Sequence, residues 1–138
     1  MKPIALRHTV AVYQAVGPQQ LAALIRTDWR CIEPGWGGEH FTYLKQRQRY
    51  AEMIARQWEV PLYGAGYVVR LVLPEDALRQ YDLETVAYEE HLEYRVPSCE
   101  LRTLSRELVG AIQPVAAFMD RESYSIPLGS RPLASLIG

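Results

Sequence analysis

The chain has 138 residues, 49% of them hydrophobic and 22% charged, with a formal net charge of -1. That length fits one domain able to bury a core without disulfides or a structural metal. The near-neutral balance lacks the broad basic footprint of a nucleic-acid binder, so nucleic acid is not indicated as a partner.

The opening "MKPIALRHTV" has no apolar run long enough for a secretory signal. No later segment approaches membrane-spanning length, so cytoplasmic residence without a membrane partner is expected. "HTVAVYQAV", from His8 to Val16, is rich in β-branched and aromatic residues and predicts a first strand. Gly17 ends it, and Pro18 suits the first position of a helix, where its missing N–H costs little. Leu21, Leu24, Ile25 and Trp29 recur at helical spacing and predict a short amphipathic helix. The loop "RCIEPGWGGEH" follows.

"HFTYL" predicts a short strand leading directly into "KQRQRYAEMIARQWE". Tyr50, Met53, Ile54 and Trp58 make the apolar stripe of that helix, with Arg47, Arg49 and Arg56 facing solvent. "GYVVRLVL" is the longest strand candidate, apolar on both faces except at Arg70, as a covered central strand is. "PEDALRQY" gives one helical turn. "LETVAY" and "HLEYRVP" then predict a hairpin turning around Glu89 and Glu90. In the second of these, Leu92, Tyr94 and Val96 alternate with His91, Glu93 and Arg95, giving one apolar and one polar face.

Ser98 stands where a helix N-cap is expected, ahead of Leu101, Leu104 and Leu108. "AIQPVAAFM" closes the domain, and Pro114 places this strand at an edge or a bulge. Residues 1–119 therefore form one domain. Residues 120–138, rich in Ser, Pro and Gly, predict a C-terminal tail that is flexible or loosely docked. Strands interspersed with a few short helices predict an α+β class with a mixed or antiparallel sheet.

Several chemistries lack their residues. "GAG" at 64–66 precedes a strand, whereas a dinucleotide fingerprint follows one and opens a helix. There is no phosphate loop and no nucleophile elbow. His8, His40, His91, Cys31 and Cys99 show no pair at ligand spacing, so no metal is expected. The two cysteines, 68 positions apart, are expected to be isolated buried thiols.

What remains is a set of features in a fixed order: Tyr13-Gln14 on the first strand, Phe41-Thr42-Tyr43 ahead of a helix, and Glu93 on a late strand. This order resembles the pattern of the ADP-ribosyltransferase fold. Over about Val12 to Phe118 the chain more closely resembles a family of small bacterial proteins grouped under the description "ADP-ribosylation/crystallin". The resemblance is carried by "VGPQQLAALIRTDWR", "YAEMIARQWEV", "GAGYVVR", "ETV" with "HLEYRVP", and "VGAIQPVAAF".

The resemblance implies an ADP-ribosyltransferase-like split β-sheet with a few flanking helices. It also implies NAD as substrate and an activity as an ADP-ribosyltransferase or NAD glycohydrolase, the acceptor being unspecified. Breaking the nicotinamide–ribose bond develops an oxocarbenium-like cation, as glycoside cleavage does, and a carboxylate beside the ribose stabilises it. Glu93 takes that role. Tyr43 stacks the nicotinamide, with Thr42 as a nearby hydroxyl, and Tyr13 and Gln14 contact the adenosine side. Arg30 neutralises a phosphate through its planar fork. His91, about 7 Å from Glu93 along the strand, orients the ligand.

Gln14 stands where the transferases carry His or Arg, and Ala87, Tyr88 and Glu89 stand where the resembling family has small residues after "TV". The alternative from another class is a non-catalytic ligand- or protein-binding module on the same fold. On ordinary grounds Glu93 is solvated surface beside Arg95, Tyr43 and Tyr13 are half-buried strand aromatics, and Arg30 flanks a helix end.

Overall fold

The structure, a computed structural model, describes residues 7–35, 40–85 and 92–120. The elements in chain order are β1 (Thr9–Val16), α1 (Pro18–Arg26), β2 (Phe41–Lys45), α2 (Gln48–Ile54), a π-helical turn (Ala55–Glu59) and α3 (Val60–Tyr63). They continue with β3 (Ala65–Pro74), α4 (Glu75–Leu78), β4 (Asp82–Thr85), β5 (Leu92–Pro97), a 3-10 turn (Ser98–Glu100), α5 (Leu101–Ser105) and β6 (Gln113–Met119). The expectations placed on His91, Ala87, Tyr88, Glu89 and the tail beyond Asp120 lie outside the described residues.

The six strands make one antiparallel sheet in the order β4-β5-β2-β1-β3-β6. With its few helices this is an α+β fold. β6 is an edge strand, and its register with β3 shifts between Val68 and Val69, where Val69 faces Pro114. The proline thus sits at an edge and beside a bulge, since it has no N–H to give a ladder.

Alternation along the strands divides the core in two. One face carries Val12, Val16, Leu44, Val96, Leu71 and Leu73, covered by Leu21 and Leu24 of α1 and by Leu101 and Leu104 of α5. Each of these leucines contributes about 1.5–3 kcal/mol by leaving water. On the other face Val68, Ala116 and Phe118 pack under Ala51, Ala55 and Val60 of the helical segment.

Pro61 explains the shape of that segment. It cannot donate to the preceding turn, so the α-helical ladder is interrupted there. The N–H of Val60 instead reaches back to the carbonyl of Ala55, the longer bond of a π turn. Gly66 lets this turn settle on β3, because a Cβ at that position would lie 2.6 Å from the Ala55 carbonyl oxygen.

Four local expectations change. Trp58 is 59% exposed and Ile25 39% exposed, so neither belongs to the buried stripe of its helix. The π turn rotates Trp58 off the sheet-facing side. Cys31 is half-buried and Cys99 exposed, both as free thiols, because Cys31 lies in the α1–β2 connection and Cys99 in the 3-10 turn rather than inside the sheet. Ser98 caps no helix; its hydroxyl is hydrogen-bonded to that of Thr42 at 2.8 Å, and the chain enters α5 through the 3-10 turn. Among the described residues no helix is long and apolar enough to cross a membrane.

Candidate functional site

β1 treats its two neighbours unequally. It pairs with β3 along its whole length, from Thr9↔Pro74 to Val16↔Tyr67. With β2 it makes a single register pair, Tyr13↔Lys45. Past that pair the strands part, and a hollow of about 260 Å³ opens between them. Gln14 and Ala15 form one wall, and Thr42, Tyr43 and Lys45 the other.

The rim comes from the helical segment. Trp58 and Leu62, one turn apart, line the hollow while remaining 59% and 63% exposed. Glu59 and Tyr63 close its end against Gly17, where a Cβ would meet Glu59 Oε1 at 2.9 Å and Tyr63 at 3.4 Å. Gln14 is only 5% exposed, and its amide Nε2 donates to the Glu33 carbonyl at 2.8 Å, which holds the α1–β2 connection beside the opening. Gln20 secures the base of α1 by accepting from the Gly17 N–H at 2.9 Å.

The point where β1 and β2 meet is polar and covered. Residues opposite one another in an antiparallel sheet share a face. The register therefore lines up Glu84, Glu93, Lys45, Tyr13 and Arg70 across five strands. The Lys45 and Glu93 side chains are each 10% exposed, with Nζ 3.5 Å from Oε1. Lys45 Nζ also lies 5.8 Å from the Tyr43 ring centre and 5.6 Å from that of Tyr50. Two charges buried this deeply persist because they are paired.

Tyr50 of α2 completes the cluster. Burial pushes its phenol up to about 12, and the charge of Glu93 and the hydrogen bond to it push in the same direction. The phenol thus stays protonated and donates to the carboxylate. Arg95, by contrast, is committed elsewhere. It pairs with Asp82 at 3.0 Å and Glu84 at 3.5 Å, and its guanidinium lies 4.7 Å from the Phe41 ring centre.

Of the residues singled out from sequence, Gln14, Thr42 and Tyr43 line the hollow. Tyr13 shares the Tyr43 face of the sheet but packs into the second core cluster. Glu93 is 7% exposed and held in the Lys45–Tyr50 cluster one strand away, rather than on solvated surface beside Arg95. Arg30 lies at a separate hollow with Arg102 and Arg106.

Lys45 and Glu59 were not singled out by sequence, and Tyr50 and Trp58 only as part of the apolar stripe of a helix. The visible signals were a lysine ending the apolar run "FTYL" and a proline three residues after a tryptophan, which displaces that tryptophan from the buried stripe. Set against family models, curated proteins and solved structures, the chain finds no match.

Proposed function

We propose that the protein is a binding module that takes a planar, ring-sized ligand into the split between β1 and β2. One observation carries this: the sheet opens immediately beyond Tyr13↔Lys45, and an exposed tryptophan and leucine stand at the mouth of the opening. Large apolar groups left in water beside a concave polar-lined wall are what a ligand site offers. The volume of about 260 Å³ falls below the ~300–1,000 Å³ usual for larger ligands, so a single ring system fits it. Tyr43 and Trp58 supply ring faces for the ligand.

Titration of nicotinate and of nicotinamide, followed by tryptophan fluorescence, tests this reading. The expected result is a saturable change that Trp58→Phe removes and Tyr43→Ala weakens. A flat response to both compounds at millimolar concentration, with no rise in Tm, sinks it.

Cleavage of NAD is the second reading, favoured by the placement of Tyr13, Tyr43 and Glu93 on one sheet face. A carboxylate that stabilises a cation must turn toward the ligand, and here Glu93 is already matched by Lys45 and Tyr50. Catalysis thus requires Lys45 to move off Glu93 when ligand enters. Release of nicotinamide from NAD, abolished by Glu93→Gln in a folded protein, establishes that reading over simple binding.

A further inference from the structure

We propose a second site, distinct from the split, that binds the diphosphate group of a small molecule. Its hollow, of about 490 Å³, shares no residue with the lining of the first. Arg30 enters from the chain after α1, and Arg102 and Arg106 from α5 and its end. Among the described residues none of the three has an ion pair.

The arrangement is held in place. Asp28 and Trp29 both adopt left-handed backbone, with φ of 58° and 61°. Such consecutive non-glycine residues cost energy and persist only where surrounding bonds enforce them. Here the Trp29 N–H donates to Leu24 O at 2.8 Å, and the Trp29 carbonyl accepts from Ile112 N at 2.8 Å. Ser105 then joins the two walls: its Oγ accepts from the Ile32 N–H at 2.8 Å while its hydroxyl donates to Leu101 O at 2.7 Å. The turn therefore sets the backbone around Arg30 beside α5.

The charges argue for an anion. Arg102 and Arg106 are four residues apart, a spacing at which like charges on a helix repel. The adjacent Glu107 relieves neither by an ion pair, since its partner is Arg7, at 3.4 Å. A helix-end dipole accounts for a cation or two on α5, but not for a third delivered from a strained turn some seventy positions earlier in the chain. Three guanidinium groups around one hollow match a diphosphate in charge and in number of donors, and one orthophosphate uses fewer of those donors. Leu108 and Cys31 also line the hollow, giving an organic substituent a partly apolar wall.

The experiment is calorimetric titration of the full chain with inorganic pyrophosphate, orthophosphate and n-butyl diphosphate. Pyrophosphate is expected to bind more tightly than orthophosphate, and more weakly as salt rises. Arg30→Gln, Arg102→Gln and Arg106→Gln should each weaken it by about tenfold, the loss of a charge-assisted contact. Arg47→Gln removes the same charge elsewhere and should leave the affinity unchanged. Tighter binding of the butyl compound identifies an organic diphosphate as the ligand, and equal or weaker binding identifies free pyrophosphate. All three arginines are exposed, so these variants should fold, and unliganded Arg102→Gln and Arg106→Gln should melt at or above the parent Tm. No pyrophosphate binding at millimolar concentration, or binding untouched by the triple substitution, overturns the proposal.

Discussion

The two flanks of β1 are built on opposite plans. Toward β3 the pairing is continuous over eight residues, with apolar side chains buried on both faces. Toward β2 it shrinks to one pair, fixed by a lysine, a glutamate and a tyrosine, and then opens. Continuous ladders with sealed faces stabilise a fold but leave no room for a ligand. A seam can admit one, and its polar cluster keeps the strands together at the cost of burying charge. In this molecule the continuous ladder and the proposed recognition surface thus lie on different sides of a single strand.

Substitutions sharpen this contrast. On the continuous flank, Leu71→Ala removes a side chain with no exposure and should cost about 4 kcal/mol in urea unfolding, the cavity adding to the lost transfer energy. At the seam, Lys45→Met leaves the Glu93 carboxylate buried without its cation and should cost about 3 kcal/mol. Combining it with Glu93→Gln should cost less than the two single changes summed, and strict additivity in that cycle would show that the pair is not coupled. Gly66→Ala pushes the π turn away from β3 and should cost about 2 kcal/mol while disturbing ligand response through Trp58.

The pH dependence distinguishes the seam further. Tyr50 and Tyr81 are both raised from the ordinary 10 to about 12, by burial first and then by Glu93 and Glu100 respectively. A group that holds its proton more tightly when folded stabilises the protein fully below pH 10. That contribution is lost as pH rises through about 12. Chemical denaturation at pH 9 and pH 11 should show the decline, and Tyr50→Phe should flatten the seam's part of it. Smallest of all, Trp58→Ser should shift stability by no more than about 0.5 kcal/mol, because the ring rests mostly in water. A large loss would place Trp58 in the core after all and remove the rim from the proposed binding site.

The sequence by itself determined where the strands and the main helices lie, though not the π turn or the 3-10 entry to α5. β-Branched and aromatic content in "HTVAVYQAV", the near-continuous apolar run of "GYVVRLVL" and the alternation in "HLEYRVP" mark a strand, a strand covered on both faces and a half-buried strand, and Pro18 and Pro114 mark a helix start and a sheet edge because neither can donate a hydrogen bond. Only the tertiary structure decided which strands meet. Lys45 reads as the opening of the helical stretch after "HFTYL", and it becomes a buried strand residue because β5 sets Glu93 opposite it and α2 lays Tyr50 beside both. Trp58 reads as core until Pro61 breaks the helical ladder and turns it outward. Periodicity is a local property that one segment can display alone. The partner of a charge and the gap between two strands depend on residues tens of positions apart, which only folding brings together.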